Sequence, residues 1–241
     1  MYTDSTGRGA AAAERFHALF AHLAADLDRD LDVLSGALDA MAQHRLLGLR
    51  VPERWGGGAL GPLGFWLFSE GAAHTSGALA FLQAQHQSAC SFVAAADDPA
   101  VPQRLLPGMA TGEIRTGVAF AHLRCPGPPL LRARPWHGGF ELEGEAPWFT
   151  GWGLFDSTVT AAVSPAGELV FVRHDAVPSA CLEASDPLRL AAMEVCQTVS
   201  LRFRGLRVPA EDVLFVRPAS FLSDNDAVRR EIGRASCRER V

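Results

Sequence analysis

The chain has 241 residues, of which 48% are hydrophobic and 20% charged, so it can bury a core and is not a disordered protein. All 22 basic residues are arginine, and 27 acidic residues bring the net charge to −5, which excludes the basic footprint of a nucleic-acid-binding protein and a polybasic membrane anchor. Arg, Glu, Asp or His interrupts every candidate for a membrane-spanning helix, and no export signal precedes the first helix. Five widely spaced cysteines without a C-x-x-C pair complete the pattern of a soluble, reduced, cytoplasmic protein.

The first half of the chain has the apolar spacing of helices. Pro62 is placed to open one of them, and Gly48 with Pro52 closes another. The spacing of apolar residues predicts helices over residues 16–27, 34–41, from 62 onward, 79–92 and 98–109.

After Gly112 the apolar period changes to two. Phe140 and Leu142 alternate with glutamates, and the same alternation returns at residues 159–163 and 199–203, with glycine-containing turns between these runs. Helices that all precede the strands argue against a doubly wound parallel sheet. The sequence therefore predicts an α+β protein, in which an all-helical domain (1–113) is followed by an antiparallel β-barrel or sandwich domain (114–222).

Several familiar catalytic patterns can be set aside. The glycines of residues 56–61 fit G-x-G-x-x-G, but no buried strand precedes them and no acid follows about 20 positions later, so they are interpreted as a helix-to-helix loop. His17 and His22 point to different helix faces, and His74 and His86 are interpreted as capping or lining packed helices. H-E-x-x-H, G-x-S-x-G and a P-loop are all missing from the sequence. We therefore predict no metal site and no serine hydrolase.

Five segments, taken in chain order, resemble those of one enzyme family. The resemblance extends from residue 13 to about residue 222, which is more specific than any one motif. LLGLRVPERWGG (46–57), RLLPGMATGE (104–113), GVAFA (117–121), GFELEGEAPWFTGW (139–152) and SLRFRGLRVPAEDVL (200–214) are similar to the corresponding segments of acyl-CoA dehydrogenases.

The resemblance implies an FAD-dependent oxidoreductase that desaturates an acyl thioester and serves fatty acid metabolism. In that family the flavin lies against the β-domain, the substrate loses an α-proton, and its β-hydrogen passes to flavin N5. It further implies acyl-CoA or another acyl thioester as substrate, an unidentified electron-transfer partner, and a homo-oligomer for the full-length protein. The residues carried over as cofactor-binding are Phe120, Ala121, His122, Leu123, Trp148, Phe149 and Thr150.

Within that set the resemblance gives separate roles to two segments. Trp148 packs beside the flavin ring, the hydroxyl of Thr150 reaches N5, and residues 120–123 offer main-chain N–H groups to the ring edge. The family's "TEPxxGSD" is altered from Leu123 onward, which loses the hydroxyl expected next to the flavin, and His122 is a candidate replacement donor. This departure leaves two alternatives open, a flavin monooxygenase of the same fold and a non-catalytic scaffold.

The resemblance also implies a third domain, a helical bundle that carries the catalytic glutamate. Only residues 223–230 correspond to its approach. Residues 231–241, EIGRASCRERV, read in codons as a common sequencing adapter and are interpreted as an artefact. No residue of this chain is therefore predicted to be catalytic, and the fragment alone is expected to be inactive.

Overall fold

The computed structural model describes residues 2–223, with six α-helices followed by eight β-strands. The helices are α1 (Tyr2–Phe20), α2 (Ala24–Leu27), α3 (Leu31–Gln43), α4 (Pro62–Ala73), α5 (Gly77–Ala94) and α6 (Ala100–Thr111). The strands are β1 (Thr116–Ala119), β2 (Leu131–Trp136), β3 (Gly139–Phe149), β4 (Ser157–Val163), β5 (Leu169–Asp175), β6 (Leu182–Ala184), β7 (Val199–Val208) and β8 (Val213–Arg217).

Local chemistry defines the ends of the helices. The carboxylate of Asp30 accepts two backbone N–H groups at the start of α3, and the hydroxyl of Ser76 accepts one at the start of α5. Pro62 is the first residue of α4, and Gly112, with φ of 80°, ends α6. The predicted helical segments are confirmed, except that a 3₁₀ turn at Ala21–Leu23 divides the segment 16–27 between α1 and α2.

The strands form one sheet in the order β6-β7-β3-β2-β4-β5-β8, with β1 paired to β4. The predicted order of a helical part followed by a mostly antiparallel sheet is confirmed, and the sheet is mixed and not closed into a barrel. Both β1 and β2 run parallel to β4 along the same edge, β2 through the single pair Arg132–Val163. Alternating hydrophobicity shows which face of a strand is buried and carries no information on its direction or partner.

Helices and sheet share one aromatic core. Phe171 of β5 is fully buried, stacks on Phe92 of α5 with ring centroids 5.2 Å apart, and lies 4.8 Å from Phe215 of β8. Phe120, which follows β1, packs edge-on against Phe92 at 5.1 Å. Because these rings come from both parts of the chain, the orientation of α5 on the sheet is fixed by packing.

Two further observations concern membrane-spanning helices and cysteines. No helix within residues 2–223 is long and apolar enough to cross a membrane. The four cysteines in that range are free thiols (Cys90, Cys125, Cys181 and Cys196). Cys237, the end of the predicted bundle approach and the predicted artefact 231–241 lie outside the described residues.

Replacing Phe171 by alanine removes the ring that joins α5 to β5 and β8. We expect the free energy of unfolding to fall by about 3–5 kcal/mol, because a large cavity opens in a close-packed core. Urea unfolding followed by circular dichroism measures this loss. Val177→Ala, at a side chain that is 58% exposed, is the control and should change the same quantity by less than about 0.5 kcal/mol. Equal effects of the two variants would contradict the assignment of a shared core.

Candidate functional site

A β-bulge near the end of β3 turns the indole of Trp148 outward. Ala146 pairs with Leu201 and Phe149 with Val199, so three steps on β3 oppose two on β7. Without the extra residue Trp148 would share the buried face of Ala146; with it, Phe149 is buried and the Trp148 side chain is 49% exposed. The φ of Trp148 is +64°, a left-handed conformation that is strained for a bulky residue.

The residues that follow the bulge are held from beneath. The ring of Phe149 lies against Gly117 of β1, where a Cβ atom would come within 2.7 Å of it. The hydroxyl of Thr150 is buried and lies 3.0 Å from that of Thr198, with either oxygen able to donate. Backbone N–H groups of Gly151 and Trp152 donate to the carbonyls of residues 196 and 197. These contacts hold the predicted segment 148–150 in place, and only Trp148 in it is exposed.

The second predicted segment, residues 120–123, lies just beyond β1. Phe120 directly follows β1 and is half-buried. The next residues, Ala121–Arg124, form a 3₁₀ turn that contacts β3. Ala121 is exposed and Leu123 half-buried. Since Gly117 of β1 touches Phe149, the fold brings the two predicted segments to the same region of the sheet.

His122 is turned into the protein. Its Nε2–H donates to the carbonyl of Ala161, 3.0 Å away, and the side chain is 3% exposed. Burial lowers the pKa of His122 to about 4, so the ring is neutral at pH 7 and Nδ1 is left as an acceptor. Within residues 2–223 this Nδ1 has no hydrogen-bond partner. In this tautomer His122 offers no side-chain donor beyond the one that Ala161 uses.

Sequence reasoning missed two polar side chains beneath this region. Thr198 precedes β7 and holds Thr150, and His174 of β5 lies on the inner face of the sheet. Nδ1–H of His174 donates to the carbonyl of Asp175, so its Nε2 accepts the hydroxyl of Thr160, 2.9 Å away. The sequence does not reveal these side-chain pairs, because the two partners are 48 residues apart in one pair and 14 in the other.

His86 has the predicted structural role. It is fully buried, one ring nitrogen contacts the carbonyl of Met109 at 3.1 Å, and Nδ1 accepts the backbone N–H of Thr116. Burial lowers its pKa to about 4. Within the described range no group of three metal-ligating side chains comes together. The N–H of Leu123 already donates to the carbonyl of Phe120. The arrangement therefore offers an exposed indole with a hydroxyl pair beneath it, which suits a planar conjugated ligand more than a metal ion.

Comparison with known proteins finds similar sequences and structures. Residues 10–113 match the family described as acyl-CoA dehydrogenase, N-terminal domain. This part of the chain is similar to the N-terminal domain of acyl-CoA dehydrogenases. A curated relative, the L-prolyl-(peptidyl-carrier protein) dehydrogenase of Pseudomonas fluorescens, is 29% identical over 176 residues, which are 68% of this chain and 46% of the relative. The chain thus spans about half the length of that relative.

Solved structures extend the likeness across the sheet. Butyryl-CoA dehydrogenase from Megasphaera elsdenii has a TM-score of 0.73 at 18% identity, with 90% of this chain and 60% of that chain covered. An acyl-CoA dehydrogenase from Bacillus anthracis complexed with FAD has a TM-score of 0.69 at 21% identity, covering 88% and 37%. Identities this low show a shared fold. The fold that the resemblance implies is therefore confirmed for both parts of the chain.

The strain at Trp148 predicts an inverted order of stability for two substitutions. Trp148→Gly should be more stable than Trp148→Ala by about 1 kcal/mol, because glycine adopts positive φ without the Cβ penalty. Urea unfolding of both variants measures the difference. At Glu143, an exposed position on the same strand, alanine should be the more stable by about 0.5–1 kcal/mol. The same order at both positions would contradict a strained bulge.

Three buried imidazoles predict a loss of stability in mild acid. The pKa values of His86, His122 and His174 are each lowered to about 4, chiefly by burial, whereas an unfolded chain protonates histidine near 6.5. Between about pH 6.5 and 4 the unfolded state binds more protons, so the free energy of unfolding should fall as pH falls, by up to about 1.4 kcal/mol per pH unit for each group.

Urea unfolding across that pH range measures the slope. His122→Gln keeps an amide donor for the carbonyl of Ala161 but cannot titrate, so it should reduce the slope by up to about 1.4 kcal/mol per pH unit. An unchanged slope in this variant would show that His122 is already protonated in the native state or does not stay buried.

Proposed function

We propose that this chain is the FAD-binding part of a dehydrogenase that acts on an acyl thioester. The observation that supports it best is the bulge that holds Trp148 outward at a cost in backbone strain. Backbone strain of this kind persists only where the surrounding structure holds it in place, and it clusters at ligand-binding and active sites. The proposed cofactor-binding set remains Phe120, Ala121, His122, Leu123, Trp148, Phe149 and Thr150, with different roles for its members.

The exposed groups of this set fit an isoalloxazine ring. Trp148 offers a half-exposed indole and Ala121 is exposed at the start of the turn, whereas the ring of Phe120 packs on Phe92 and supports the turn from the core. We assign Phe149 and His122 to the support beneath, because both side chains are buried. Thr150 approaches the ring through its main chain, and its hydroxyl takes part only through the pair that it forms with Thr198. FAD, when bound, supplies the hydride acceptor for the oxidation.

The substrate class follows from what the similar proteins share. The relative from Pseudomonas fluorescens is named for a prolyl group on a peptidyl-carrier protein, and the structure from Megasphaera elsdenii for butyryl-CoA. Both names describe a carbonyl held as a thioester, whose polarisation makes the neighbouring proton acidic. We propose a thioester for this chain as well. The half of the relative's length that has no counterpart here is proposed to supply the catalytic base and the opposite wall of the site.

Titration of the 241-residue chain with FAD, followed by flavin fluorescence, tests the proposal. Trp148→Ala should weaken FAD binding at least about tenfold, a loss of about 1.4 kcal/mol from one stacking partner. Trp136→Ala is the matched control, since it removes a partly exposed indole from β2, and its dissociation constant should stay within about twofold of the wild type. Melting followed by circular dichroism confirms that both variants fold.

Two results would contradict the proposed function. One is no FAD binding by the wild-type chain at about 1 mM FAD, where even a weak site would be occupied. The other is equal loss of affinity in the Trp148 and Trp136 variants. If the full-length protein consumed oxygen during turnover of a hydrophobic substrate, the monooxygenase alternative would replace the dehydrogenase while the flavin site remained.

A further inference from the structure

One edge of β4 is shared by β1 and β2, with an interval between them. β1 pairs with β4 as far as Thr160, and β2 meets it only at Val163. Main-chain groups of successive strand residues alternate between the two edges. The N–H of Ser157 donates to the carbonyl of Arg115, which precedes β1, so Ala161, an even number of residues further on, points to the same edge. Its carbonyl therefore faces the interval between the two strands.

The chain between β1 and β2, residues 120–130, loops out of the sheet. β4 advances by only three residues between its contacts with the two strands, roughly 10 Å at about 3.3 Å per residue. Residues 124–130 are exposed, and Phe120 and Leu123 are half-buried. Within residues 120–130, all of which the structure describes, His122 is the one buried residue. It is therefore the point at which this connection is anchored most deeply.

The imidazole of His122 occupies the interval on β4. Its Nε2–H donates to the carbonyl of Ala161 at 3.0 Å, so a side chain supplies a donor where a paired strand would otherwise do so. A carbonyl oxygen can only accept, which fixes the proton of the neutral ring on Nε2. A side chain without a donor at this position would take a partner from the carbonyl of Ala161, which is costly for a buried group.

Side chains on either side of Ala121 attach the turn after β1 to the rest of the protein. The ring of Phe120 packs on Phe92 of α5, and the ring of His122 bonds to β4 two residues later. The main chain closes the turn, since the N–H of Leu123 donates to the carbonyl of Phe120. Ala121 is exposed between the two attachments, so its position depends on both of them.

We infer that His122 is a positioning residue of the proposed flavin site, acting through the carbonyl of Ala161 to set where Ala121 lies relative to Trp148. The inference rests on the function proposed above, in which the turn and the indole border the flavin ring. The turn contacts β3, the strand that carries Trp148. His122 itself makes no contact with the cofactor, because its side chain is buried. The chemical requirement is a donor at the position of Nε2.

Two amide substitutions of His122 separate this donor from the rest of the ring. The amide nitrogen of glutamine lies as far along the side chain as Nε2, whereas that of asparagine lies at the level of Nδ1 and falls short of the Ala161 carbonyl. We expect His122→Gln to keep the FAD dissociation constant within about threefold of the wild type, and His122→Asn to raise it at least about tenfold. The visible circular dichroism of the bound flavin, at saturating FAD, should change in the asparagine variant alone.

A third variant and a control separate positioning from loss of the fold. His122→Leu keeps a side chain of similar bulk without a donor and should behave as His122→Asn does, so the result does not depend on one variant. Leu38→Ala, at a fully buried residue of α3, lowers stability by opening a cavity far from the turn in sequence. This control should leave the FAD dissociation constant within about twofold of the wild type and the flavin spectrum unchanged.

Several outcomes overturn the inference. Equal FAD affinities and flavin spectra in the glutamine, asparagine and leucine variants would show that the Nε2 donor is not required. A changed flavin spectrum in Leu38→Ala would make the effect one of general stability. If the wild-type chain binds FAD and every His122 variant binds it equally well, this inference fails alone. No FAD binding by the wild-type chain refutes the proposed function, and with it the site that His122 would position.

Discussion

The site depends on one extra residue in β3. Strand side chains alternate between faces, so an insertion of one position reverses the face of every residue on one side of it. In β3 the reversal buries Phe149 and places Trp148 on the outside. The left-handed backbone at Trp148 persists because Phe149 is wedged against Gly117 and residues 151–152 are hydrogen-bonded to residues 196–197. The aromatic surface offered to a ligand is therefore set by backbone geometry.

Helix α5 joins the rest of the helical part to β1, the strand that packs against Phe149. Its contacts are polar as well as apolar. The buried amide of Gln87 donates to the carbonyl of Leu46 and accepts the backbone N–H of Arg50. The preceding residue, His86, bonds to backbone groups at the end of α6 and the start of β1. Because a buried polar group without a partner is costly, these bonds fix the register of α5.

The two faces of the sheet carry different kinds of polar groups. Its inner face holds neutral polar groups, such as the pair of Thr160 and His174, that stabilise the fold beneath the proposed flavin site. Its outer face holds exposed ion pairs between β7 and its neighbours, such as Arg202–Glu145 and Arg207–Glu141, which contribute little to stability.

Local patterns in the sequence determined much of this protein. Helical spacing, the caps at Asp30 and Ser76 and the alternation in β3 act over a few residues, and order alone separates the helical part from the sheet. The family resemblance also selected the segments around Phe120 and Trp148. Tertiary structure decided the rest: β1 and β2 run parallel to β4, His122 turns inward to Ala161, and Thr150 pairs with Thr198. Each of these depends on groups that are distant in sequence, and a one-residue shift in strand pairing would change them all.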